Sequence, residues 1–359
     1  MSGFATIDDP NRVIRIIQVG AGGMGKAWLR ALQDAPEIEL VGLVDLDLAG
    51  AKAAASEVGF SNVPCARSIT ELFESTAPDA VLNVTVPVAH YSVDREAMLL
   101  GLPVLSEKPA APTVAEALSL AAISETTGQL LMISQSRRYF RTLAAYKAAL
   151  TRLGHIGILT HQFFRAPHFG GFREEMASPL LVDMSIHAFD VARYLLDEDP
   201  ISVYADSFNP SWSWFSGDAA AAVIFEFASG TRFIYQGSWV SQSLETSWNG
   251  EWRASSEQGT ALWDGENIPS LSIAGEVVDL RETGDDGELR EEIAGSLSEF
   301  VGALRSGVEP SGEIHRNIPS LAMVEAAVLS ATRGERVAIL PLVEETQHGL
   351  DDRRRGSRP

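Results

Sequence analysis

The chain has 359 residues, 45% hydrophobic and 21% charged, with 48 acidic against 28 basic residues and a formal net charge of -20. That length accommodates about two domains with buried cores, and so acidic a surface disfavours nucleic acid and anionic membranes as partners. The single cysteine, Cys65, excludes an intrachain disulfide; with no secretory leader or apolar run of about 20 residues in view, the cytoplasm is the expected location.

In chain order, the first third alternates short apolar strands with helical stretches. The strands are Ile14–Val19, Ile38–Val44, Ala80–Val84, Pro103–Leu105 and Gln129–Ser134; the helices lie near Met24–Asp34, Ala49–Val58, Val88–Leu100 and Val114–Glu125. Val, Leu and Ile dominate the strands, as in a doubly wound α/β parallel sheet buried on both faces. After about Arg141 the pattern changes to strands at Gly154–Arg165, Ile201–Phe208, Ala219–Phe227 and Thr231–Val240, then shorter ones to about Leu280. One long helix, Leu180–Leu196, interrupts them, and helices near Glu291–Arg305 and Ile318–Arg333 follow. The expectation is a Rossmann domain over 1–135 and an α+β domain with a large, mostly antiparallel open sheet over 136–343. The stretch 344–359, ending in an arginine-rich run, lacks apolar periodicity and reads as a disordered tail.

The first strand runs directly into Gly20-Ala21-Gly22-Gly23-Met24-Gly25, with a helix behind it. In such a turn the first glycine allows the tight bend, the second lets backbone approach a pyrophosphate, and the third lets helix pack on strand. The helix N-terminus then offers free N–H groups to phosphate. Asp45 ends the second strand twenty residues beyond Gly25, where an acid hydrogen-bonds the adenosine ribose and repels a 2′-phosphate. The expected cofactor is therefore NAD rather than NADP; the competing reading of Asp45 is a helix cap.

Three further segments carry a resemblance: Asn83-Val84-Thr85-Val86-Pro87-Val88-Ala89-His90, Ser106-Glu107-Lys108-Pro109, and Asp183-Met184-Ser185-Ile186-His187-Ala188-Phe189-Asp190. With the glycine motif, they make residues 12–340 resemble the glucose–fructose oxidoreductase / inositol dehydrogenase / rhizopine-catabolism (Gfo/Idh/MocA) family. The resemblance implies an NAD-dependent dehydrogenase acting on a secondary hydroxyl of a sugar, cyclitol or related polyol, with Lys108, Asp183 and His187 in its active site. It also implies cofactor contacts from Thr85, Pro87, His90, Glu107 and Lys108 beside Gly20, Gly22, Gly23, Met24, Gly25 and Asp45, although His90 could equally cap or pack at the start of its helix. A cis Lys108–Pro109 bond and a homodimer or homotetramer formed through the second sheet follow from the same resemblance.

The chemistry stands beside it. Hydride loss from a carbinol requires its proton to leave, so a base must reach the oxygen. His187 titrates near neutrality; Asp183, four residues earlier, falls on the same face of an α-helix and could orient the imidazole. The Lys108 ammonium could stabilise an alkoxide, and either Lys108 or His187 could take the proton. Arg137, in Ser136-Arg137-Arg138-Tyr139, is a candidate substrate contact, Arg165 and Arg173 are weaker ones, and Asp190 is either a supporting acid or a surface one. No metal site is expected: His161 and His168 have no further ligand at suitable spacing. Cys65 reads as buried packing. Trp28 stands apart from Trp212, Trp214, Trp239, Trp248, Trp252 and Trp263 in the second half, which suit core or interface better than sugar stacking. Two other functions remain open: glycoside cleavage through transient NAD redox chemistry, and NAD sensing without catalysis.

Overall fold

The computed structural model describes residues 3–280 and 290–356, with side chains to residue 347. The chain forms two compact units, one from 1–136 with 290–318, the other from 137–289 with 319–359.

In the first unit the elements are β1 (Ile14–Val19), α1 (Gly23–Gln33), β2 (Ile38–Val44), α2 (Leu48–Glu57), β3 (Cys65–Ala66), α3 (Ile69–Thr76), β4 (Ala80–Asn83), α4 (Pro87–Leu99), β5 (Val104–Glu107), α5 (Val114–Thr127) and β6 (Leu131–Ser134). The six strands pair in parallel in the order β3-β2-β1-β4-β5-β6. Ile14, Ile16, Ile17, Val81, Leu82, Val104 and Leu131 are all fully buried, as strands covered on both faces require. The strand order reverses between β1 and β4, so a crevice opens at the carboxyl edge there. β3 and α3 were not expected from the sequence, although Ser68 and Glu71 form the helix-starting pair: Ser68 Oγ accepts from the Glu71 N–H at 3.3 Å.

The segment 290–318 belongs to this unit rather than to the second domain, where its chain position had suggested it. In α8 (Glu292–Ser306), Leu297, Phe300, Val301 and Leu304 are buried. Arg290 makes a bidentate pair with Glu37 at 2.6 and 3.2 Å, and Ile133 N–H donates to Gly312 carbonyl at 2.8 Å. Burial of that apolar face decides which unit the helix joins.

The second unit contains α6 (Arg141–Leu153), β7 (Ile156–Phe164), α7 (Ser185–Leu196), β8 (Pro200–Phe208), β9 (Ala220–Phe227), β10 (Arg232–Ser238), β11 (Glu251–Ser256), β12 (Gly259–Trp263), β13 (Ser270–Ile273) and β14 (Glu276–Val278). α9 (Ile314–Arg333) passes from one unit to the other at Ile318/Pro319, and β15 (Val337–Ala338) and α10 (Ile339–Gly356) follow. Nine strands form one sheet in the order β14-β13-β12-β11-β7-β10-β9-β8-β15, antiparallel except for β7 with β10. The period-2 alternation points Leu159, Phe163, Val223, Phe225, Phe233 and Tyr235 into the core, where α6 and α7 pack. On the other face Ile158, Tyr204, Ile224 and Leu262 stand exposed.

Two expectations change here. The backbone is helical through Gly356, not a disordered tail from Glu344. Its Leu, Glu and Gln are good helix formers; residues 357–359 lie outside the described residues. The long helix Leu180–Leu196 is also not uniform: Leu180–Met184 is a π-helical turn before α7. Ser185 Oγ donates to the Leu181 carbonyl at 2.5 Å, taking an acceptor the α-helical ladder would otherwise use. Among the described residues no helix is long and apolar enough to cross a membrane.

Candidate active site

In the first unit every expected cofactor residue lies at or just beyond the carboxyl edge of the parallel sheet. Gly20 has φ +102°, and a Cβ there would strike the Val84 carbonyl; one at Gly25 would strike the Gly20 carbonyl. A buried glutamine, Gln18, clamps the turn by donating through Nε2 to the carbonyls of Gly20 and Gly25 at 2.8 and 2.9 Å. Gln18 was not singled out from the sequence; the signal was an uncharged polar residue two positions before the glycine turn, in a strand otherwise apolar but for Arg15. A Cβ at Gly22 or Gly23, by contrast, meets nothing within 4 Å. No side chain caps α1 at Gly22, and Met24 beside it is 49% exposed. Glycine at 22 and 23 thus keeps the approach to the helix N-terminus open, which fits a pyrophosphate.

Asp45 is held at both oxygens, by Ala21 N–H at 2.8 Å and Asp47 N–H at 2.9 Å. It is not the helix cap: Asp47 caps α2, accepting from Ala49 and Gly50 N–H at 3.1 and 3.0 Å. Beyond β4, Thr85 donates through both N–H and Oγ1 to Asn83 Oδ1, at 3.1 and 2.7 Å. Pro87 opens α4.

For His90, a cofactor contact or a packing residue at the start of its helix in the sequence reading, the structure shows packing contacts. The side chain is 1% exposed, and its ring nitrogens face two backbone carbonyls, Nδ1 to Pro109 at 2.6 Å and Nε2 to Thr85 at 3.1 Å. Burial holds the imidazole below its ordinary pKa. The ring thus ties the start of α4 to the turn after β5. Asn83 Nδ2 donates to the buried Asp94 at 2.7 Å, and burial pushes that carboxyl up to about 7.

Glu107 faces inward: Oε1 accepts from Trp28 Nε1 at 2.8 Å and Oε2 from Lys108 N–H at 3.2 Å, while burial raises its pKa. Trp28 on α1 therefore anchors the turn that carries Lys108, a role the sequence did not disclose. The Lys108–Pro109 peptide is cis. With the strands in the order β2, β1, β4, β5, Asp45, the glycine turn, Thr85 and Lys108 follow one another along one edge. Three interstrand steps of about 4.8 Å separate the first from the last.

In the second unit, Asp183 sits in the π turn and His187 in the first turn of α7, both half-buried. Because a π turn intervenes, α-helical spacing does not describe their relation, as the sequence reading had assumed. Asp183 Oδ2 accepts from Arg173 Nε at 2.7 Å. Arg137 donates to the Trp248 carbonyl, and its Nη2 lies 4.0 Å from Met184 Sδ beside Asp183. Arg165 is engaged elsewhere: it donates to the Thr246 carbonyl at 2.8 Å, pairs with Glu245 at 2.9 Å and lies over the Trp248 ring. Asp190 is 1% exposed, not a surface acid; Arg138 holds both its oxygens at 2.7 and 2.6 Å and Ser320 Oγ donates to it at 2.7 Å. His161 is buried against Tyr235 and Trp252, and His168 stacks on Trp214. Cys65 is half-buried rather than buried.

Residues 14–135 match the oxidoreductase family with an NAD-binding Rossmann fold, and residues 149–262 match the GFO/IDH/MocA C-terminal domain. The chain is 25% identical over 348 residues to the inositol 2-dehydrogenase of Rhizobium meliloti, covering 91% of this chain and 99% of that one. It is 24% identical over 345 residues to the D-apiose dehydrogenase of Paraburkholderia graminis, covering 91% and 90%. An oxidoreductase from Agrobacterium radiobacter, solved with NAD+, L-tartaric acid and magnesium, shares the fold at a TM-score of 0.82 and 19% identity, over 92% of this chain and 99% of that one. A turn built for a dinucleotide, the two matched domains and relatives aligned over nine-tenths of the chain lead to one conclusion: the chain belongs to the Gfo/Idh/MocA family and is an NAD-binding oxidoreductase.

Proposed function

We propose that the protein is a dehydrogenase acting on a secondary hydroxyl of a sugar, cyclitol or related polyol. The observation that carries this reading is the order along the sheet edge, from Asp45 through the glycine turn and Thr85 to Lys108. It puts a lysine at the end opposite Asp45. NAD, when bound, supplies the hydride acceptor. Asp45, Gly22, Gly23 and Thr85 are the residues that would hold it.

Lys108 donates a hydrogen bond to the substrate oxygen and stabilises negative charge developing there. His187 is the second group able to receive the hydroxyl proton, and Asp183 sets its environment from the preceding turn. Arg137, fixed by the Trp248 carbonyl, is a substrate contact in this reading, whereas the bonds made by Arg165 argue against such a role for it. The names of the relatives, an inositol and an apiose dehydrogenase, support the substrate class. The uncovered face of the second sheet, where Ile158, Tyr204, Ile224 and Leu262 stand exposed, supports a homodimer or homotetramer.

The test is NADH formation by the purified protein with a panel of inositols, aldoses, uronates and glycosides, with NADP in parallel. Turnover with at least one polyol, reduced by about two orders of magnitude or more in Lys108→Ala and His187→Ala, is expected. Tight NAD binding without NADH from any of them would overturn the reading.

A further inference from the structure

The loop between β7 and the π turn is pinned. Ser216 N–H donates to the Glu174 carbonyl at 2.8 Å and Asp218 N–H to the Ala177 carbonyl at 2.9 Å. A Cβ at Gly217, between them, would collide with the carbonyls of Met176 and Ala177. Gly170 N–H donates to Glu174 Oε1 at 2.8 Å, His168 stacks on Trp214 at 3.9 Å, and Phe169 packs edge-on against the buried Trp239 at 5.2 Å. Arg173 therefore projects from a fixed platform.

Its guanidinium is held on three sides. Nε donates to Asp183 at 2.7 Å, and the rings of Phe169 and Phe172 lie 5.3 and 4.8 Å from Cζ. Nη1 and Nη2 make no hydrogen bond among the described residues, and the side chain is 35% exposed while Asp183 is 11% exposed. A guanidinium held against aromatic rings keeps its plane and is weakly hydrated. A neutral hydroxyl uses such a fork poorly. A carboxylate or phosphate takes both Nη groups at once, in charge-assisted bonds whose entropy cost the platform has already reduced. An ion pair to Asp183 alone would need neither the aromatic contacts nor the pinned loop. In a chain with a net charge of -20, an anion also needs a local cation to bind at all.

We propose that Arg173 is a specificity-determining residue and that the substrate is an anionic polyol, its carboxylate or phosphate received by the Nη edge of Arg173 while Nε keeps Asp183 in place. This deepens the dehydrogenase reading and rests on it for the word substrate, but the anion preference can be read by binding alone. Calorimetry on the full chain saturated with NADH would compare D-glucuronate and D-glucose 6-phosphate with D-glucose and myo-inositol. At least one anion is expected to bind about 10-fold or more tightly than glucose, the scale of a charge-assisted pair. Which anion leads assigns carboxylate or phosphate as the recognised group. Arg173→Ala should bring that ratio within about 3-fold of unity, and Arg173→Lys, which keeps charge but not the fork, should fall between. Equal binding of charged and neutral sugars by the wild type, or a ratio that survives Arg173→Ala, overturns the proposal. A preserved anion preference without NADH formation removes the dehydrogenase reading and leaves this one. NADH formed equally well from glucose and glucuronate does the reverse.

Discussion

Asp45 and His90 are two polar side chains whose roles are set by what they touch. Asp45 keeps both oxygens on backbone N–H groups of the glycine turn and of Asp47, so its charge stays where a ribose 2′-position would lie. Asp45→Ala should lower kcat/KM with NAD by about 10-fold or more, the scale of a hydrogen bond to a charged group, and should narrow the preference for NAD over NADP; initial rates with both cofactors measure this. His90 faces the carbonyl of Pro109, the residue after Lys108. Its removal takes the single N–H of the neutral ring from whichever of the Pro109 and Thr85 carbonyls receives it, at a cost of about 1–3 kcal/mol for the buried group left unsatisfied. His90→Ala should therefore unfold at lower urea and lose kcat more than NAD affinity. His90→Gln, which retains an N–H donor, should recover part of kcat. A variant with unchanged kcat would remove His90 from the positioning of the lysine turn.

Among the elements, local signals were legible where they were local. The Ser68/Glu71 pair starting α3 and the Asp47 cap of α2 lie within a few residues of the helices they start, although the sequence reading passed over α3 and offered Asp45, not Asp47, as the cap. The π turn before α7 is not, because it depends on which acceptor Ser185 takes. α9 carries a pH-dependent element at its start: His315 Nδ1 lies 2.8 Å from Glu313 and Nε2 3.0 Å from Glu125. The Glu313 carboxylate, with Glu125 behind it, holds the imidazole up to about 9. Because the folded value lies above the unfolded one of about 6.5, this stabilisation is complete below pH 6.5 and is lost as pH rises through about 9. The pair is half-exposed, so the difference in urea stability between wild type and His315→Gln should be at most about 1 kcal/mol at pH 6. It should vanish by pH 10. A difference independent of pH would assign His315 a packing role instead.

At the scale of the whole molecule, the two units use their sheets differently. The first sheet is covered on both faces. The second leaves Ile158, Tyr204, Ile224 and Leu262 exposed at 48, 41, 38 and 43%, on strands β7, β8, β9 and β12 of one face. These apolar side chains stand among polar ones such as Arg232, Arg253 and Gln236, a mixture that suits an interface between copies. Light scattering should return a mass of two or four chains, and Ile224→Glu, in the middle of β9, should shift it toward one. A wild-type mass of a single chain would overturn the assembly.

The sequence by itself determined the Rossmann unit, the glycine turn, the acid after β2, the family and a broad second sheet, because each rests on short-range periodicity or on residues adjacent in the chain. Tertiary structure alone decided the rest. It buried His90 between two carbonyls 24 residues apart, turned Glu107 inward onto Trp28, returned α8 to the first unit and set Arg173 against Asp183. These outcomes depend on which distant surface offers apolar area or a matching donor, and no local pattern in the chain encodes that.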